Sequence, residues 1–377
     1  MISLQDKSYC CGCGACEQRC PQSCITMQED DKGLLYPVVD AQACVDCGLC
    51  EQVCPFLNEG KQSREIGAFA AVNADEKERM MSSSGGVFSL LSRGVIADGG
   101  VVFGARFEGD WNVVHDCANQ MQGIARFLGS KYVQSVIGEN YLLVEDLLKN
   151  KGRKVLFTGT PCQIAGLRLF LKQEYEDLFL VEVACHGVPS PKVWRQHLAS
   201  TAGRSMVTRV NFRSKTTGWR NYSVIIGKKR RLHDDDVFMG CFIKNYSVRP
   251  SCFNCRFKGG HSGADLTLAD FWGIETVAPH LDDDKGTSLV IVHTAKGREL
   301  LDRCQVKLES VDYQMAVKAN PSLEHSAVRP DDYDGFWQMF NTGNPRRALK
   351  KYGKLYPSGA LMRLKRLAAA VLKRLRR

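Results

Sequence analysis

Five cysteines fall within residues 10–20, in the stretch CCGCGACEQRC, and four of them follow the spacing C-x2-C-x2-C-x3-C-P through Cys10, Cys13, Cys16, Cys20 and Pro21. The same run recurs through Cys44, Cys47, Cys50, Cys54 and Pro55. Three thiolates two residues apart can converge on three corners of one 4Fe-4S cubane while the chain turns tightly around it. The fourth, followed by proline, points away and ligates a second cluster. This reading assigns Cys10, Cys13, Cys16 and Cys54 to one cluster, and Cys44, Cys47, Cys50 and Cys20 to the other. Gly12, Gly14 and Gly48 relieve the crowding, because glycine accepts backbone angles that other residues resist. Cys11 and Cys24 lie outside the pattern and read as bystanders.

Other uses of so many thiols fit less well. Zinc ribbons use two CxxC pairs around a four-coordinate ion. A disulfide framework belongs to small secreted chains, whereas the opening MISLQDKSYC shows no basic-then-apolar leader. The double run resembles that of bacterial ferredoxins with paired 4Fe-4S clusters. With 17 cysteines and no uninterrupted apolar stretch of eighteen residues, the chain reads as a cytosolic, metal-binding protein without a spanning helix.

The elements around these residues divide the 377-residue chain. Residues 1–58 form the dicluster module, and NEGKQSRE at 58–65 is a polar linker. Over 66–340, strand-like stretches (GAFAAVN, GVVFGARF, KVLFTGT, LFLVEVAC, TSLVIVHT) alternate with amphipathic helical ones (GGVFSLLSRGVIAD, PCQIAGLRLFLKQ, PKVWRQHLAST, AKGRELLDRC). That interleaving predicts an α+β or mixed α/β domain. The net charge of +10 is confined to the end: from Arg346 on there are 12 Lys or Arg and no acid, leaving 39 basic against 41 acidic residues elsewhere. A nucleic-acid-binding body is therefore not expected.

Within the body, SSSGG at 82–86 sits between a strand and a helix, where hydroxyls and exposed amides suit a dinucleotide pyrophosphate or serve as an ordinary N-cap. GSKYVQS at 129–135 offers Lys131 to a phosphate or flavin. NFRSKTTGWRNYSV at 211–224 mixes Arg213, Lys215 and Arg220 with Trp219 and Tyr222, a blend for an anionic, aromatic ligand or for an exposed hairpin. Cys162 opens a helix after one strand and Cys185 ends the next. If those strands are parallel neighbours, both cysteines stand at the edge where α/β sheets bind ligands. With Cys252 and Cys255 of RPSCFNC they make four thiols for a third 4Fe-4S cluster, for zinc, or simply for the core. Asp265 and Asp270 in ADLTLADFW could orient a cluster loop or the flavin, or cap a strand and a turn.

SSSGG, GSKYVQS, GTPCQ, CHGVPS, NFRSK with GW, and RPSCFNC followed by SGADLTLADFWG, in this order over roughly residues 67–330, resemble the beta subunit of coenzyme F-420 hydrogenase/dehydrogenase. The resemblance implies FAD and an iron–sulfur centre inside the flavin-binding α/β domain. It favours a cofactor role for Ser83, Ser84, Gly85, Gly86, Lys131, Tyr132 and Arg213, and a metal role for Cys162, Cys185, Cys252 and Cys255. The expected function is an FAD-dependent iron–sulfur oxidoreductase acting on a small or lipid-linked substrate, with surface-polysaccharide metabolism as one setting. A non-catalytic electron-transfer subunit serving a separate enzyme is the alternative. The redox partner would be a ferredoxin, a reduced deazaflavin or an NAD(P)H-linked donor.

The end of the chain has its own pattern. In ALMRLKRLAAAVLKRLRR at 360–377, Leu361, Leu364, Ala368, Leu372 and Leu375 share one helical face, and Arg363, Arg366, Lys373 and Arg377 the opposite one. This predicts a basic amphipathic tail over 346–377 that lies on an anionic membrane surface, which would make the protein peripheral on the inner face. Packing on the body or a disordered end are the alternatives.

Overall fold

The computed structural model describes residues 1–60, 62–202 and 206–355. Each cysteine run closes into one turn of helix, Ala15–Arg19 and Leu49–Gln52. Between them lies an antiparallel ribbon of β1 (Ile25–Glu29) and β2 (Leu35–Val39). Such a ribbon is marginal alone. Its own centre is built from Ile2, Ile25 and the cysteines 16, 24 and 50, so this module depends on what its thiols hold.

From Gly67 the chain forms β3 (Gly67–Asn73), β4 (Val101–Phe107), β5 (Val113–Ala118), β6 (Ser135–Val136), β7 (Val155–Gly159) and β8 (Leu178–Val183). After these come β9 (Val210–Ser214), β10 (Ser223–Ile226), β11 (Lys229–Leu232), β12 (Leu266–Asp270), β13 (Ser288–Val292) and β14 (Val306–Val311). Nine of them make one mixed sheet in the order β14-β3-β13-β12-β8-β7-β4-β5-β6, and β11-β10-β9 make a second, smaller sheet. The strands β4, β7, β8 and β12 are mutually parallel. β7 is buried along its whole length, as a strand covered on both faces must be. The fold is thus the expected mixed α/β type.

This topology collects the chemistry. β7 and β8 pair in parallel, with Gly159 opposite Glu182, so Cys162 and Cys185 follow neighbouring strands at one edge. β13 runs antiparallel to both β12 and β3, which turns the loop after β3, with Ser83–Gly86, to that same edge. Asp270 ends β12 there, and Lys131 lies just ahead of β6, which runs parallel to β5 and starts beside Val113.

The end of the described chain differs from expectation. The helix Pro345–Tyr352 buries Ala348, Leu349 and Tyr352 in the largest apolar cluster of the body, beside Trp337, Phe340 and Phe242. Residues 346–352 therefore belong to the body, because one face of that basic helix is apolar and has a core to pack on. The stretch at 360–377 lies outside the described residues.

Candidate iron–sulfur centres and anion site

The first thiol set stands around a small cavity lined by Cys10, Cys11, Cys13, Cys16 and Cys54. The second lines another with Cys20, Cys24, Cys44, Cys47 and Cys50. Both groupings match the crossed assignment read from the spacing, and each contains one thiol more than that assignment uses. Cys24 Sγ lies 3.3 Å from Cys20 Sγ. Burial pushes Cys54 up to about 11, and hydrogen bonding with Cys20 pushes Cys24 up to about 12. Cys47 is exposed while Cys13, Cys16 and Cys50 are buried. The second set faces solvent, and the first faces the body.

The third set forms where three segments meet. Cys162 begins the helix Pro161–Leu171, fixed by a Thr160/Gln163 capping box with Pro at the first turn. Cys185 follows β8, and Cys252 and Cys255 sit on and just after the turn Pro250–Asn254. Cys252, Cys162 and Cys255 all lie within electrostatic reach of Cys185. Burial raises Cys252 to about 12 and Cys255 to about 11. Cys162 moves the other way, to about 7, chiefly through a hydrogen bond with Cys11. Among the described residues, no group of three or more His, Cys, Asp or Glu is arranged to hold a metal ion. Four thiolates about 2.3 Å from one zinc would form such a group. The sulfurs of a cubane stand farther apart, and all-thiolate sets are what iron–sulfur clusters use. The donors therefore suit clusters better than a single ion.

Cys11, read as a bystander, is placed between the first and third sets. Its thiol hydrogen-bonds those of Cys13 and Cys162. Cys54, Cys11, Cys162 and Cys255 pack on one apolar knot of Phe56, Ala165 and Phe257. Gly166, one turn into the Cys162 helix, lets that helix approach Cys13: a Cβ there would stand 3.0 Å from both Cβ and Sγ of Cys13.

Farther along the edge, Arg213 is 5% exposed. Its Nη1 donates to Asp270 at 2.7 Å and to the Tyr132 hydroxyl at 3.3 Å. The guanidinium lies 4.1 Å over the Tyr222 ring and 5.3 Å from that of Trp272. Its Nε and Nη2 are buried and unpartnered, although buried donors are normally satisfied. Trp219, stacked on Trp272 at 4.7 Å, donates its indole N–H to Asp270. The 211–224 stretch is thus a buried wall and not an exposed hairpin.

The loop at 82–86 is tied to this wall. Ser83 Oγ accepts from Ser130 N at 2.7 Å, and Ser84 Oγ donates to Thr287 O. Gly86 (φ 86°) starts the helix Val87–Ala97 with no side-chain cap, which leaves its first amides for an anion. Gly85 is glycine for a reason internal to the fold. A Cβ would fall 2.3 Å from Ala71 O and 2.6 Å from Ser288 N, so the close approach is to the sheet itself. Lys131 donates to the carbonyls of Phe127, Leu128 and Gly129 at 2.9–3.0 Å, and burial pulls its pKa down to about 7. Its ammonium is spent on closing a turn, so it reaches a ligand only by leaving those carbonyls. Asp265 stands at the far end of β12, where it accepts from Leu180 N and Thr294 Oγ1. It orders strands and takes no part in the site, because its carboxylate is consumed by backbone and cap donors.

The chain is an iron–sulfur protein of the electron-transfer class. Residues 9–58 are a 4Fe-4S dicluster domain, and residues 152–314 belong to the coenzyme F420 hydrogenase/dehydrogenase beta subunit family, matching the model of its C terminus. This membership makes it an oxidoreductase-type protein. A chain in the xenon-derivatised F420-reducing [NiFe] hydrogenase complex from Methanosarcina barkeri is 16% identical, with a TM-score of 0.49, covering 75% of this chain and 95% of that one. No curated protein matches. No helix among the described residues is long and apolar enough to cross a membrane.

Proposed function

We propose that the protein is an FAD-dependent iron–sulfur oxidoreductase with three 4Fe-4S clusters, which exchanges electrons between an external carrier at the second cysteine set and a substrate at the Arg213 site. The observation that carries this reading is contiguity. An exposed thiol set adjoins a buried one, the buried one touches four thiols at the sheet edge through Cys11, and the same edge presents Arg213 with two unsatisfied donors. Two idle N–H groups on a buried guanidinium, beside an uncapped helix start and aromatic walls, fit the anionic and planar parts of a flavin dinucleotide. When bound, FAD supplies the coupling between two-electron and one-electron chemistry.

The chain's own residues do the positioning. Asp270 fixes one side of the Arg213 guanidinium, which leaves the other side to orient a ligand. Trp219, Trp272 and Tyr222 exclude water around it. A one-electron carrier such as a ferredoxin needs only to reach the exposed second set, whereas a deazaflavin or NAD(P)H-linked hydride donor must reach the Arg213 site itself. The test is steady-state: anaerobic protein with reduced methyl viologen as donor and menadione as acceptor should turn over many times. A single stoichiometric burst without turnover would instead identify an electron-transfer subunit that serves a separate enzyme.

A further inference from the structure

Arg249 is 1% exposed, and among the described residues no carboxylate pairs with it. Its partners are of another kind. Nε donates to the Cys10 carbonyl at 2.6 Å, Nη2 to Cys10 Sγ at 3.5 Å, and Nη1 to Gln134 Oε1 at 3.4 Å. The guanidinium lies 4.0 Å over the Tyr36 ring, and Cys11 and Cys252 are within electrostatic reach. A buried cation is expensive unless an anion answers it. Here the only groups placed to answer are cysteine thiolates of the first and third sets.

The fold makes room for this contact. Gly12, inside the first cysteine run, has φ 70°, and a Cβ there would stand 2.9 Å from Arg249 Nη1 and 2.5 Å from Gln134 Nε2. Arg249 also leads directly into the turn Pro250–Asn254 that carries Cys252. One side chain therefore ties the ligands of two sets together. The second set has no counterpart, since its cavity is lined by Asp46 and by no Lys or Arg.

We infer that Arg249 is the shared counter-charge of the first and third cysteine sets, raising the reduction potential of the centres they hold above that of the centre at the second set. The inference rests on the reading of these sets as iron–sulfur ligands. A cluster gains negative charge on reduction, so a fixed cation and an N–H···S bond favour its reduced form, and hydrogen bonds to sulfur are a main determinant of cluster potential. An electron entering at the exposed second set then moves inward, downhill. Arg249 is a positioning and tuning residue; it does not touch substrate.

The experiment is an anaerobic redox titration of the full chain followed by EPR, comparing wild type, R249M and R249K, with iron and sulfide measured first on each sample. C47S identifies the signal of the second set. In R249M with full iron, the other two centres should become harder to reduce, with the reduced-to-oxidised ratio at fixed ambient potential falling at least tenfold, 59 mV for a one-electron couple, while the second set stays put. R249K should restore part of the shift, because it returns the charge without the fork of N–H groups. If R249M does not retain iron, R249K against wild type decides. It keeps the charge but loses the N–H···S bond, so the same two centres shift the same way by less. Unchanged potentials in an iron-replete variant, or an equal shift of all three centres, would overturn the inference. Wild-type protein without iron would overturn the cluster reading itself.

Discussion

Replacing Glu182 by glutamine should remove a pH-dependent penalty that the native protein carries. Glu182 is 4% exposed on β8. Its Oε1 accepts from Thr267 Oγ1 at 2.7 Å, and its Oε2 accepts from Ser262 Oγ. Burial pushes its pKa from 4.5 up to about 7. Between those two values the folded chain holds a proton that the unfolded chain has released. Stability from this group is thus fully present below pH 4.5 and is lost as pH rises through 7. A difference of about 2.5 pH units at 1.36 kcal/mol each amounts to about 3 kcal/mol. The assay is urea unfolding of wild type and E182Q at intervals from pH 4.5 to 8, with the difference between them cancelling all other titrations. E182Q should nearly match wild type at pH 4.5 and gain on it by about 3 kcal/mol at pH 8. A difference that stays flat, or one that grows toward low pH, would refute the assignment of Glu182 as a buried, uncompensated carboxyl.

Three further outcomes are expected. Gly166→Val drives a side chain into Cys13 and should cost about 1–3 kcal/mol, read as faster proteolysis at the 58–66 linker with the flavin-to-protein ratio unchanged. Asp270→Asn removes the anion that Arg213 is paired with, and should lower flavin retention while iron per chain stays constant. The tail at 360–377 should carry the protein to liposomes containing acidic lipid in a salt-sensitive way, each basic residue near the surface being worth about 1 kcal/mol. A chain ending at Pro357 should stay in the supernatant, and equal sedimentation of both would remove the tail from this role.

The cysteine runs were legible because ligand spacing is local. Three thiols two residues apart leave few other uses, and the structure groups them as the spacing implies. The meeting of Cys162 and Cys185 was legible one step further, through the rule that parallel strands present their C-terminal ends to one edge. Arg249 was not legible, although it stands three residues before Cys252. Its role arises from Cys10, in a different module, and no sequence pattern signals a contact across so long a separation. Lys131 and Gly85 show the opposite failure. Both residue types suit a phosphate site, yet the carbonyls of residues 127–129 and the backbone of Ala71 and Ser288 account for them locally. The basic helix at Pro345–Tyr352 was misread because charge was counted along the chain, while Ala348, Leu349 and Tyr352 share a buried face.

The most direct test of the account is the cofactor content of the anaerobically purified chain. Three 4Fe-4S clusters and one flavin predict about twelve iron and about twelve sulfide per chain, with one FAD. Cys252→Ser should bring iron down by about four while leaving the pair of clusters in residues 9–58 intact. About eight iron with one tightly bound zinc, unchanged in the flavin-free state, would contradict both the third cluster and the electron path to the Arg213 site.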